Sequence, residues 1–145
     1  MAPELFKPVQ RRTTVKRLLS VVVALGLALT ACSVHDTREV SLQQAKWWRA
    51  AVPTYSFTYT DSGQMGPRSS DLHVVDGLAS APAPQGVPAT IDDVFRLLEK
   101  EKAQADKVTA NYDDQLGYPT SVNIDEQASV IDDEWGFTIT NFRQP

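Results

Sequence analysis

The segment YSFTYT, residues 55–60, alternates large aromatic residues with small hydroxyl residues along its whole length. A period of two places Tyr55, Phe57 and Tyr59 on one side of an extended chain and the hydroxyl residues on the other. The segment therefore predicts a β-strand with one side in a core and the other side polar. A second layer of structure must cover the aromatic side.

Four further strands are predicted after this one. Residues 72–75 are followed by an Asp76-Gly77 pair, which favours a tight turn. Residues 108–112 and 119–124 are separated by a short polar turn and predict a hairpin. Alternation resumes in WGFTITNF, residues 135–142. Together these segments predict an antiparallel sheet of about five strands.

A helix is predicted from Thr90 onward. In IDDVFRLLEK, residues 91–100, apolar residues recur at helical spacing and two acidic residues occupy the first turn. Thr90 stands where an N-cap residue is expected.

A shorter helix is predicted before Pro53, with Ser41 as its N-cap and with Trp47 and Trp48 as its buried contacts. Two helices and about five strands predict an α+β fold, in which both helices pack on one face of the antiparallel sheet.

The N-terminal part has the composition of an export signal. Residues 11–32, RRTTVKRLLSVVVALGLALTAC, start with basic residues, continue with an apolar run over 18–29, and end in small residues before Cys32. The apolar run is shorter than the roughly twenty residues that span a bilayer as a helix. We therefore predict a signal peptide over residues 1–31, with an uncleaved helix as the weaker alternative. Arg11 and Arg12 fit either an ordinary basic region or a twin-arginine signal.

Leu29-Thr30-Ala31-Cys32 resembles the lipobox of bacterial lipoproteins. In that motif signal peptidase II cleaves before the cysteine, and the sulfur carries a diacylglycerol with acyl chains such as palmitate. The resemblance implies that Cys32 is lipidated and anchors the protein to the cell membrane, facing the periplasm or the extracellular side. Residues 32–41 are polar and aperiodic and are predicted as a flexible tether, and residues 42–145 as a single domain.

Composition and charge narrow the range of partners that the protein can be expected to bind. The chain has 145 residues, of which 42% are hydrophobic and 22% are charged, as in ordinary globular proteins. Its formal net charge is -4 although the leader is basic, so the rest of the chain is clearly acidic. Because nucleic acid and anionic lipid repel such a domain, we expect no nucleic-acid partner. Contact with the membrane is expected through lipid on Cys32, and an envelope protein is the other expected partner.

Acidic residues are concentrated in the loops that join the last three predicted strands. Such carboxylates can gather around calcium, which takes six to eight oxygen ligands. Their spacing fits no EF-hand, and aspartates are common in turns because they bond their own backbone. Solvated turns are the favoured interpretation, and no cofactor is expected. The weak candidates for a metal site are Asp113, Asp114, Asp125, Asp132 and Asp133, with Glu126 and Glu134 nearby.

No catalytic residue is predicted. His73 lies beside Asp71 and close to Ser69 and Ser70, but neighbours in one strand do not supply the convergent geometry of a triad. Asp92 and Asp93 are explained by the first turn of a helix. The aromatic residues are assigned to the core rather than to a ligand groove; they are Trp47, Trp48, Tyr55, Phe57, Tyr59, Tyr118, Trp135, Phe137 and Phe142.

From about residue 48 to residue 142 the chain resembles the DUF6174 family of uncharacterised bacterial lipoproteins and secreted proteins. The resemblance implies a disulfide between the first two strands, which this chain lacks because Cys32 is its only cysteine. It implies no known activity. The matching segments are YSFTY at 55–59, VVDG at 74–77, TIDDVF at 90–95, YD at 112–113, LGYPTS at 116–121 and DDEWGF at 132–137.

The sequence thus predicts a membrane-anchored lipoprotein of the cell envelope that binds a protein or peptide without catalysis. An exposed aromatic patch on the sheet would favour this hypothesis. One alternative is a metal-dependent or hydrolytic activity at the acidic loops 113–134, which three convergent carboxylates would favour. Another is a small inhibitor of an envelope enzyme, which one protruding loop would favour.

Overall fold

The computed structural model describes residues 31–63, 66–131 and 133–145. The predicted signal peptide, apart from Ala31, lies outside the described residues. Of the two units into which the chain divides, Met1–Val34 and His35–Pro145, the second contains the sheet described below.

The described residues form an α+β domain with two helices and six strands. The α+β class and the antiparallel sheet were predicted correctly, but the sheet has one strand more than expected. In chain order the elements are α1 (Ala31–Ala50), β1 (Tyr55–Asp61), β2 (Arg68–Val75), β3 (Leu78–Ala79), α2 (Ile91–Gln104), β4 (Lys107–Tyr112), β5 (Pro119–Asp125) and β6 (Glu134–Arg143).

The strands lie in the order β3-β2-β1-β6-β5-β4, and every neighbouring pair is antiparallel. The first and last strands of the chain are therefore partners at the centre of the sheet. Tyr59 stands opposite Ile139 across this central pair, and Val122 stands opposite Phe137 in the next one. Because side chains alternate, the register brings the buried apolar residues of β1, β2, β4, β5 and β6 to one face.

That face carries the core, to which both helices contribute. Tyr55, Phe57 and Tyr59 alternate in β1 as predicted, and all three are buried. The same core cluster contains Val40, Trp47, Leu72, Val74, Ile91, Val94, Phe95, Leu98, Val108, Tyr118, Val122, Ile124, Phe137 and Ile139. The opposite face has no helix packed against it among the described elements, and it is polar.

Helix α2 begins as predicted. The Thr90 hydroxyl accepts a hydrogen bond from the Asp93 backbone N–H at 3.1 Å, and the Asp93 carboxylate accepts one from the Thr90 N–H at 3.0 Å. This reciprocal pair is a capping box, which satisfies donors that have no partner within the helix. The buried stripe Ile91, Val94, Phe95 and Leu98 continues along the helix to Glu101.

Helix α1 corrects two predictions. It begins at Ala31, so residues 32–41 are helical where a flexible tether was predicted. From the turn containing Val40 onward, packing explains the extension: Val40 and Trp47 are seven residues apart, lie on one helical face and are 1% and 4% exposed. Trp48 points away and is 60% exposed, so only one of the two tryptophans is a core contact.

The additional strand is β3, which follows the predicted Asp76-Gly77 turn. Both turn residues have positive φ, 51° for Asp76 and 78° for Gly77, as a two-residue hairpin turn of type I′ requires. Leu78 then pairs with Val75. Two residues are too few to produce a recognisable alternation, and for that reason the strand was missed.

Candidate functional site

The structure separates the acidic candidates into two groups. Asp113 and Asp114 follow β4 in the turn that leads to β5, whereas Asp125 ends β5 and Asp133 immediately precedes β6. Successive turns of an antiparallel meander lie at opposite ends of the strands, and β5 separates them by roughly 20 Å over its seven residues. For this topological reason Asp113 and Asp114 lie too far from Asp125 and Asp133 to share a metal ion with them.

Asp113 has the structural role that was predicted for turn aspartates. Its Oδ1 accepts hydrogen bonds from the backbone N–H groups of Gln115 at 3.0 Å and Leu116 at 2.6 Å. Its own N–H donates to the carbonyl of Tyr118 at 2.9 Å. These bonds fix the turn that packs against α1, where Lys46 Nζ donates to the carbonyl of Asp114.

At the other end of the sheet, Asp125 pairs in register with Lys107 on β4 and with Glu134 on β6. Within the described residues, no group of three or more histidine, cysteine, aspartate or glutamate side chains is arranged to hold a metal ion. Asp132, the remaining candidate, lies outside the described residues.

The open face of the sheet is rich in hydroxyl and amide side chains. Its pairs are linked by hydrogen bonds such as Thr58 Oγ1 to Asp71 Oδ1 at 2.7 Å and Asn111 Nδ2 to Ser121 Oγ at 2.9 Å. His73 is exposed on this face opposite Ser56, as expected for a strand histidine. The exposed aromatic patch that would have favoured protein binding is not on this face in the described strands.

The aromatic residues belong to the core, as predicted, with the exception of Trp48. Phe142 stacks on Tyr118 with ring centroids 4.5 Å apart, and the edge of Trp47 meets Phe142 at 6.0 Å. Trp48 instead donates from Nε1 to Asp92 Oδ1 at 2.8 Å on the surface. The pair tethers α1 to the first turn of α2.

A cleft of about 350 Å³ lies where the ends of β1 and β5 and the start of β6 meet α2. We call it the acidic cleft. The half-buried side chains of Trp135 and of Leu97 in α2 supply an aromatic and an aliphatic wall, and the buried Tyr59 borders the cleft. The remaining lining residues are Asp61, Gly63, Arg68, Gly86, Glu126, Asp133 and Glu134.

The carboxylates of the acidic cleft differ in their ion-pair and hydrogen-bond partners. Asp61 faces the exposed guanidinium of Arg68 at 3.5 Å, and Glu126 accepts a hydrogen bond from Trp135 Nε1 at 3.0 Å. Both carboxylate oxygens of Asp133 are buried, and neither has a hydrogen-bond partner among the described residues. Burial and, secondarily, the charge of Asp61 raise the pKa of Tyr59 well above its ordinary value, so its hydroxyl is neutral at physiological pH.

Sequence reasoning found part of this cleft. Glu126, Asp133 and Glu134 were identified as members of acidic loops, but Tyr59 was assigned only to the core and Leu97 was not singled out. Their place in a cleft depends on β1 pairing with β6 and on α2 crossing the end of the sheet. Those contacts join distant parts of the chain, and no local pattern indicates them.

Fold and cleft together define a small α+β domain with a six-stranded antiparallel sheet, one polar sheet face and an acid-lined cleft at the sheet end. The chain belongs to DUF6174, a family of unknown function, whose model matches residues 39–144. This match confirms the family resemblance. No curated protein and no solved structure matches the chain. None of the described helices is both long enough and apolar enough to cross a membrane.

Proposed function

We propose that this protein is an exported lipoprotein, held at the cell membrane by lipid on Cys32, whose domain binds a protein or peptide partner without catalysis. The membrane attachment rests on the sequence Leu29-Thr30-Ala31-Cys32 and on the basic and apolar leader before it. The binding role rests on one observation, the acidic cleft, in which charged side chains lie beside the half-buried side chains of Trp135 and Leu97.

A test of lipidation compares Cys32→Ser with Ser33→Ala in cells supplied with labelled palmitate. The wild-type protein and Ser33→Ala should incorporate label and sediment with membranes, because both keep the thiol that accepts the lipid. Cys32→Ser should carry no label and should accumulate as a longer, unprocessed chain. Equal labelling and equal membrane recovery of all three proteins would refute the anchor.

A test of binding uses the full chain, tagged after Pro145 and recovered from cross-linked native membranes. The variants are Glu134→Lys, which reverses a charge at the exposed rim of the cleft, and Asp114→Lys, which makes the same change at the opposite end of β5. One partner in stoichiometric amount should accompany the wild type and Asp114→Lys but not Glu134→Lys. Recovery without any partner, or with the same partner for all three chains, would contradict binding through the cleft.

A further inference from the structure

A β-bulge interrupts the pairing of β1 with β6 near the end of β6. Thr58 stands opposite Thr140, but Ser56 stands opposite Arg143, so β6 has one residue more than β1 over this stretch. Asn141, within the bulge, has a positive φ of 53°. One extra residue reverses the alternation of the side chains that follow it.

The bulge decides which faces of the sheet Phe142 and Arg143 occupy. With strict alternation after Thr140, Phe142 would lie on the open face and Arg143 on the core face. Instead Phe142 stacks on Tyr118 in the aromatic cluster, with ring centroids 4.5 Å apart. Arg143 is exposed and stands in register with Ser56. The open face thereby acquires a guanidinium beside Ser56.

Ser56 lies between this guanidinium and an imidazole. His73 stands opposite Ser56 on β2, and Arg143 stands opposite it on β6. The Cβ atoms of directly opposite residues are roughly 5 Å apart, so two long side chains flank the short serine hydroxyl. A cavity of about 300 Å³ lies at this place, and we call it the open-face cavity. Its other polar lining residues are Thr58, Asp71 and Asn141.

The donors of the open-face cavity lack anionic partners. Among the described residues, neither His73 nor Arg143 forms an ion pair with a carboxylate. Asp71 is the one carboxylate among the described lining residues, and its Oδ1 accepts a hydrogen bond from the Thr58 hydroxyl at 2.7 Å. With His73 protonated, the lining carries two positive charges and one negative charge. The excess positive charge favours an anion.

The arrangement of the donors indicates which anion fits. Arg143, Ser56 and His73 belong to three neighbouring strands, so their N–H and O–H groups approach a common point from three sides. A guanidinium alone can satisfy both oxygens of a carboxylate, whereas a phosphate group has further oxygens that need donors. The volume of about 300 Å³ leaves room for a small organic part beside the phosphate. The negative charge of the domain disfavours an extended anionic surface.

We infer that the open-face cavity binds the phosphate group of a small phosphomonoester. Arg143 and protonated His73 hold the phosphate oxygens from two sides, and Ser56 donates its hydroxyl between them. The cavity lies at the other end of β1 from the acidic cleft, so this inference does not depend on the proposed function.

The test measures binding to the purified full chain in a non-ionic detergent by titration calorimetry at about pH 6, where histidine is largely charged. The probes are glycerol 3-phosphate, inorganic phosphate, glycerophosphoglycerol as a phosphodiester, and acetate. Glycerol 3-phosphate should bind most tightly, inorganic phosphate should compete with it, and the affinity should fall as salt rises. Equal or tighter binding of the phosphodiester would indicate a lipid headgroup and overturn the monoester. Equal or tighter binding of acetate would overturn the phosphate.

Three variants control the measurement. Arg143→Gln and His73→Gln should each weaken the binding of glycerol 3-phosphate by about tenfold, because each removes a charged donor. Arg49→Gln is the matched control, since it removes an exposed arginine of α1 outside the cavity, and it should leave the affinity unchanged. All three variants should unfold at the temperature of the wild type, because the three side chains are exposed.

The same affinity in all four proteins, or no measurable binding of either glycerol 3-phosphate or inorganic phosphate to the wild type, would overturn the inference. A lower unfolding temperature of both Arg143→Gln and His73→Gln would assign the two side chains to the fold instead of to a ligand.

Discussion

The phenolic oxygen of Tyr55 accepts a hydrogen bond from the backbone nitrogen of Ile91 at 3.0 Å, in the buried contact between β1 and the first turn of α2. The first N–H groups of a helix have no acceptor within the helix. Thr90 receives the N–H of Asp93, and Tyr55 receives that of Ile91. A side chain of the central sheet thus contributes to the cap of a helix that begins 36 residues later.

Replacing Tyr55 by Phe should lower the free energy of unfolding by about 1–2 kcal/mol at neutral pH, because the buried Ile91 N–H loses its acceptor. Urea unfolding monitored by circular dichroism measures the change. Tyr118→Phe is the matched control, since the Tyr118 hydroxyl makes no hydrogen bond in the described part of the chain. Equal losses in the two variants would mean that the Tyr55 bond contributes nothing beyond packing.

The pKa of the same tyrosine predicts that the stability of the domain changes at alkaline pH. Burial raises the pKa of Tyr55 to about 12, partly offset by the hydrogen bond from Ile91, so folding favours the protonated phenol. The contribution of this raised pKa to the free energy of unfolding is complete below pH 10, where the phenol of the unfolded chain is also protonated. It is lost as pH rises from 10 to 12. The stability difference between wild type and Tyr55→Phe should therefore narrow above pH 10. A constant difference up to pH 12 would contradict the assignment.

Gly117 joins the turn before β5 to helix α1. Its φ is 82°, and a Cβ atom there would lie 2.7 Å from the carbonyl oxygen of Gln43 and 3.0 Å from Lys46 Cβ. Gly77 has a similar φ of 78° but nothing within 4 Å of such an atom. Gly77→Ala should cost about 1 kcal/mol from backbone strain alone, and Gly117→Ala about 1–3 kcal/mol more because α1 must shift.

Thermal unfolding of both glycine variants checks this prediction. The difference between them isolates the contact of α1 with the turn, because backbone strain is common to the two sites. If Gly117→Ala is no less stable than Gly77→Ala, the helix is not seated on the turn in solution.

The capping box predicts that the stability of the domain falls at acidic pH. Burial opposes ionisation of Asp93, but hydrogen bonds from Thr90 and Arg96 and the charge of Arg96 outweigh it and lower the pKa below 3.8. Its contribution is therefore present above pH 3.8 and is lost as pH falls through the lower pKa of the folded state. Asp93→Asn should cost about 1 kcal/mol at pH 7.

This loss should shrink as the pH falls below 3.8, because wild-type Asp93 then also becomes neutral. Asp92→Asn is the control: its amide oxygen can still accept the hydrogen bond from Trp48, and Asp92 has no part in the capping box. A loss that does not depend on pH, or one matched by Asp92→Asn, would argue against the box. Both variants can be followed by thermal unfolding between pH 2.5 and pH 7 in roughly half-unit steps.

Local sequence patterns were enough to predict most helices and strands of the fold. The alternation around Phe57 and the stripe beginning at Ile91 each repeat over several turns or pleats, so one misplaced residue does not hide them. Helix α1 was less predictable because Trp47 and Trp48 are adjacent and equally apolar. Which of them is buried depends on the positions of Val40 and of the turn between β4 and β5 that contains Tyr118. The sequence around the two tryptophans does not contain that information.

The candidate site was predicted less well than the fold. The acidic composition around Asp125 and Asp133 is visible in the sequence, yet composition gives no indication that Asp113 lies at the far end of the strands. Once the strands are known to be successive and antiparallel, the separation follows. The acidic cleft additionally needs Leu97, whose half-buried position results from how α2 crosses the sheet.

The pairing of β1 with β6 has a consequence for folding while the chain is being synthesised. The sheet consists of two local halves, β3-β2-β1 and β6-β5-β4, which are joined only along this seam. A chain made from its N-terminus cannot close the seam until residues 134–143 have emerged, and until then β1 presents an open edge. A chain that ends shortly before β6 would therefore lack the strand that joins β3-β2-β1 to the β4-β5 hairpin, so it could not form a slightly smaller version of the same sheet.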